Sequence, residues 1–142
     1  MYLEEVSIEV SQGDVFVSLP LVSAADGSGQ TLIQRVHVIL LTQDCEYDKP
    51  STVSVLVAAV LPLSGVASGS QGNVRKNRVA SAFYLPPHPL LPESYVDIRA
   101  IGRVAKILIA AEANNAGRML SLTEEARLAL QRQIAGFFGY DR

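Results

Sequence analysis

A chain of 142 residues, 49% hydrophobic and 18% charged, is long enough for one domain with its own core and too short for two, and its apolar surplus leaves material to cover a partner. One cysteine excludes an internal disulfide framework, Cys45 with two separated histidines (His37, His88) is a poor zinc set, and no apolar run reaches the roughly 20 residues of a membrane span. The overall charge of −2 hides a polar molecule: residues 1–50 hold eight acids against Arg35 and Lys49, whereas residues 51–142 hold ten bases against six acids, so any contact with nucleic acid falls to the second half.

Taken in chain order, Ser11-Gln-Gly-Asp14 supplies turn chemistry, and Val15 to Leu19 reads as a first strand stopping before Pro20. Residues 23–30 are small and polar, a loop able to fold over a site. Residues 32–42 are apolar at consecutive positions, as in a strand covered on both faces, and residues 51–63 repeat that character. These two strands, joined by Thr42 to Pro50, are the expected hairpin heart of the domain. The first ends at Gln43-Asp-Cys45, which marks a polar mouth at the exit of a buried strand.

The glycine- and serine-rich tract 64–73 is too poor in apolar area to order itself and predicts a mobile loop. The basic cluster Arg75-Lys76-Asn-Arg78 follows, either a nucleic-acid contact or a solvated loop. Val79 to Leu85 predicts a strand, the prolines of 86–92 an extended surface run, and Tyr95 to Ile101 a further strand with Asp97 and Arg99 paired on one face. From Val104 the spacing turns helical. Ser121-Leu-Thr-Glu124 reads as a capping box, opening a helix over 121–138 whose apolar face packs on the sheet; Glu125, Arg132 and Gln133 face solvent.

Several residues carry competing readings. Cys45 as a nucleophile needs a thiolate, which Asp44, Glu46 and Asp48 oppose; a small packed or site-lining residue is the plainer reading. His37 inside an apolar strand is a satisfied strand histidine before it is a base. The aspartates near Lys49-Pro50 suit turn capping better than a cation site, so no metal or cofactor is expected. Tyr47, Tyr84 and Tyr95 fit base stacking or plugging of barrel ends equally well.

The order Gly13-Asp-Val-Phe-Val17, Arg35 before Val36 to Leu41, Thr52 to Leu63 ending Pro62-Leu-Ser64, Tyr95 to Ile101, and Leu120-Ser-Leu-Thr-Glu124 before Phe137-Phe-Gly139 resembles the PemK/MazF-like growth-inhibitor superfamily. The resemblance implies a mainly β fold with C-terminal helices (α+β), a small SH3-like β-barrel spanning 1–142. It implies a toxin-like, metal-independent endoribonuclease of a toxin–antitoxin or defence module, a homodimer with RNA and an antitoxin as partners; separately, the lack of a span and an N-terminus, Met1-Tyr-Leu-Glu-Glu5, unlike a signal peptide predict a cytoplasmic protein. By position, Arg35 stabilises the phosphorane's charge and Ser64 is its hydroxyl partner, while Arg75, Lys76 and Arg78 guide RNA. Gln43, Asp44 and Cys45 have no counterpart in the usual toxins. They support the alternative of a non-catalytic barrel binding a protein or small ligand at its mouth.

Overall fold

Consecutive apolar positions form central strands here because both faces of the sheet are covered. The computed structural model describes residues 1–6, 9–23, 32–114 and 117–139. Among them the apolar runs become β1 (Val15–Ser23), β2 (Leu32–Leu40), β3 (Ser54–Pro62), β4 (Ala82–Leu85) and β5 (Ser94–Ala105), with a short β6 (Arg118–Leu120). The helices are α1 (Asp44–Tyr47), α2 (Ser68–Arg75), α3 (Lys106–Asn114) and α4 (Glu124–Phe137). All pairings are antiparallel in one six-stranded sheet, ordered β4-β5-β3-β2-β1-β6. The chain is therefore α+β and mainly β, and β4 and β6 are sheet edges that do not pair to close it.

Alternation along β2 and β3 divides the interior. Ile39, Ala58 and Val60 face one side with Phe83, Leu120 and the α4 residue Leu130; Val38, Leu40, Val55 and Val57 face the other with Phe16, Tyr47 and the α3 residue Ile109. Two bulges make the sheet curl. Between Phe16↔Val38 and Leu19↔Val36, Val17 and Ser18 both stand opposite His37. This extra residue restores Leu19 and Leu21 to the core containing Phe16. Ser18 takes φ +38, held there because its amide donates to His37 Nδ1 at 3.1 Å and its carbonyl accepts from Arg35 Nη2 at 2.8 Å.

The second bulge lies in β5, where the register jumps from Ala58↔Ile101 to Ala59↔Asp97. Asp97 Oδ1 accepts from the Arg99 amide at 3.0 Å and stabilises the outward turn. Beyond it β1 comes over β5: a Cβ on Gly102 would lie 2.5 Å from Leu21 Cδ1, so glycine permits this side-chain approach.

Several expectations need correction. The Thr42–Pro50 connection is not a bare turn but contains α1, whose Tyr47 is buried and lies under Lys106 Nζ, 4.9 Å from the ring centroid. The tract expected as a mobile loop forms a 3-10 turn at Leu63–Gly65 and then α2. Tertiary contacts override its poor helix propensity: Val74 packs with Leu63 and Ala82, and Gln71 Nε2 donates to the Val66 carbonyl at 2.9 Å. The α4 cap is Thr123, accepting from the Ala126 amide at 3.2 Å, in place of the Ser121–Glu124 box. Gln133 does not face solvent alone; its Nε2 donates to the carbonyls of Val79 (3.1 Å) and Ala82 (2.7 Å), pinning α4 over the approach to β4.

β1 continues through Pro20, α3 begins at Lys106, and His88 and Leu91 exchange backbone hydrogen bonds, so the proline segment contains a tight turn. The expected 23–30 loop lies, apart from Ser23, outside the described residues. No helix among those described is long and apolar enough to cross a membrane.

Candidate functional site

The end of β2 leads into a clamp that joins distant parts of the chain. Asp44 Oδ1 accepts from the Gln12 amide at 2.7 Å, and its Oδ2 lies 3.4 Å from Arg127 Nη1 on α4. Gln12 Nε2 donates to the Leu41 carbonyl at 2.7 Å, and Gln12 Oε1 accepts from Gln131 Nε2. Asp44 thus bonds the turn before β1 and the C-terminal helix, a larger task than capping its own turn.

Beside this clamp is a cleft of about 380 Å3 walled by Leu41, Leu56, Ile101, Ile134, Ala135 and Phe138. The amides of Gln12, Gln43 and Gln131 are its polar lining. Leu56 remains 36% exposed and Phe138 48% exposed, so apolar area is left facing water at the edge. Asp44 supports this cleft without lining it. Cys45 is exposed on α1, its Sγ 4.0 Å from Gln43 Oε1. Both histidines line a different cavity, which gives the thiol no imidazole base.

Arg35 and Ser64 are both exposed. The β2–β3 register ends at His37↔Val60, short of both residues: Arg35 pairs with Pro20 of β1, and Ser64 lies in the 3-10 turn that follows β3. The Arg35 guanidinium is hydrogen-bonded to the Ser18 carbonyl.

The basic cluster is divided by its surroundings. Arg75 ends α2 and makes two bonds to Glu93, Nε–Oε2 and Nη2–Oε1, both 3.0 Å, and the Tyr84 hydroxyl donates to the same carboxylate. These donors, Arg75 first and Tyr84 second, hold the Glu93 carboxyl down at about 2. Asn77 adopts φ +52 and its Oδ1 accepts from the Tyr84 amide at 2.9 Å. Lys76 and Arg78 are exposed, with no ion-pair partner among the described residues. Tyr84 is thereby committed to Glu93, and Tyr47 to a buried plug with burial pushing its hydroxyl up; Tyr95 packs half-buried below α2.

A pH consequence follows from Glu93. Its folded pKa lies below the ordinary 4.5, so its contribution is complete above about 4.5 and is lost as pH falls toward about 2. Denaturant midpoints should show wild type ahead of Glu93→Gln at pH 7, with the gap closing steadily between pH 4.5 and 2.

Sequence reasoning missed Gln12, Gln131 and the pair Asp14–Arg118. Arg118 Nη1 lies 3.1 Å from Asp14 Oδ2, with the side chains 8% and 1% exposed. Burial pushes the Asp14 carboxyl up, against the lowering effect of hydrogen bonds from the Ser11 amide, Ser121 and Arg118. Arg118–Asp14 and Arg127–Asp44 also explain the charge split: part of the basic second half is consumed in tying down the acidic first half. The expected pair Arg99–Asp97 forms at 3.4 Å.

Fold and site together define an α+β protein with an open, curled antiparallel sheet and a glutamine-lined apolar cleft between the segment after β2, β3, β5 and the C-terminal helix. No model of a known protein family matches the chain, and no curated protein sequence matches it.

Proposed function

We propose that this chain is a protein-binding module, a divergent SH3-like barrel of PemK/MazF type that takes an apolar segment of a partner in the cleft beside Gln43. The cleft is the observation that carries the reading. At about 380 Å3 it is near the bottom of the roughly 300–1,000 Å3 range of small-molecule sites, a volume suited to one or two inserted side chains. Gln43 offers an amide to an extended backbone, Gln12 and Gln131 being bonded to each other, and the lining contains no charged group that would demand a counter-ion. The bulged β1 and β5 and the C-terminal helix support relating this sheet, open between β4 and β6, to that barrel type.

The test is selection of peptides from a random display library on the immobilised protein. Peptides carrying adjacent apolar residues should be recovered, and their binding should fall at least tenfold in Leu56→Asp, which changes a surface position, and in Asp44→Ala, which loosens the clamp. Retained binding in Leu56→Asp sinks the reading.

A second reading, the metal-independent endoribonuclease, draws support from the exposure of both Arg35 and Ser64. It also has a neighbouring groove of about 570 Å3 containing Gln34 and Arg99. RNA cut by the wild type and left intact by Arg35→Ala would favour it over the binding module.

A further inference from the structure

The geometry points to a second ligand site, in a cavity that Arg118 helps to line, for an uncharged carbonyl compound with an apolar body. A cavity of about 800 Å3 lies between the N-terminal arm, the β1 bulge, β6 and the turn at His88. Its apolar walls include Leu3, Val17, Leu90 and Met119, and His37 and His88 both line it.

The two imidazoles are fixed in the same state by different backbone contacts. His37 Nδ1 accepts from the Ser18 amide and His88 Nδ1 from the Leu90 amide, each at 3.1 Å. A nitrogen that accepts carries no proton, so in the neutral ring Nε2 is N–H. Neither Nε2 has a hydrogen-bond partner among the described residues. The rings therefore present donors, and a metal ion, which needs a lone pair on Nε2, would require each Nδ1–H to confront a backbone N–H. Among the described residues no group of three or more candidate ligands is assembled for a metal.

The charges nearby select against anions. Arg118 lines the cavity, but its Nη1 serves the Glu9 carbonyl at 2.9 Å and Asp14 at 3.1 Å. Glu4 and Glu5 line the same cavity, exposed and without ion pairs among the described residues. Two neutral donors, an apolar wall and an acidic rim match a ketone, amide or ester carbonyl on a hydrocarbon chain and disfavour a carboxylate.

Three probes with the same chain length separate the possibilities: octan-2-one, octanoate and octylammonium, each titrated while the histidine ring signals are followed by NMR. Octan-2-one should shift both rings saturably, octanoate at least tenfold more weakly, and the ring nitrogens should report the Nε2–H state on both histidines. Leu90→Asp and His88→Phe should each weaken the ketone at least tenfold; they keep the test open if His37→Phe, which removes the Ser18 contact, fails to fold. Equal or tighter binding of octanoate or octylammonium, no ring response to octan-2-one, or an Nδ1–H ring would overturn the assignment.

Discussion

Replacing Arg118 with methionine should destabilise the protein by about 3–5 kcal/mol at pH 7, because it leaves the Asp14 carboxylate buried without its cation. Asp14 is only 1% exposed, and the pair joins the start of β1 to β6. Burial already holds the Asp14 pKa above its ordinary value, and losing Arg118 raises it further. A carboxyl whose folded pKa is raised costs stability as pH climbs above its unfolded value, near 3.9, and costs nothing below it. The deficit of Arg118→Met should therefore be largest at neutral pH and shrink toward pH 4. The double variant Asp14→Leu/Arg118→Met should recover most of the loss, since no buried charge remains. Urea unfolding of the three variants at pH 7 and pH 4.5 checks both statements; a double variant as unstable as the single one would contradict them.

Leu130→Ala should cost about 2–5 kcal/mol, the usual range for emptying a buried leucine site. Leu130 is the fully buried centre of α4, packed with Ala126 against the sheet, while Ile134 and Phe137 are only partly covered. The loss should be felt beyond global stability. One wall of the cleft, Ile134, Ala135 and Phe138, and the clamp residues Arg127 and Gln131 belong to this segment. Hydrogen exchange should therefore accelerate over 124–137 and at the Gln12 amide together. Exchange rising in the helix alone would show that the clamp does not couple them.

The strands β1 to β5 were legible in the sequence because they are apolar runs bounded by turn chemistry. The helix over 121–138 was legible too, although its cap belongs to Thr123: Ser121 instead sits buried beside Asp14. What escaped reading was held by long-range contacts. β6 is three residues without clear alternation and exists through its pairing with Val15 and Phe16. The 68–75 tract looks like a loop by composition and is made helical by Val74 and by the bond between Arg75 and Glu93. Gln43, expected at the exit of a buried strand, caps α1 three residues after β2 and lines the cleft. Gln12 and Gln131, 119 positions apart, carry no local pattern that joins them.

The most direct test of the binding-module reading is an amide NMR titration of one labelled sample, first with a library-selected peptide and then with a single-stranded RNA oligonucleotide. Peptide-induced shifts confined to Leu41, Gln43, Leu56, Ile134 and Phe138, with no response to RNA, are the expected result. RNA-induced shifts centred on Arg35 and Ser64, accompanied by cleavage products that Arg35→Ala does not make, would contradict it.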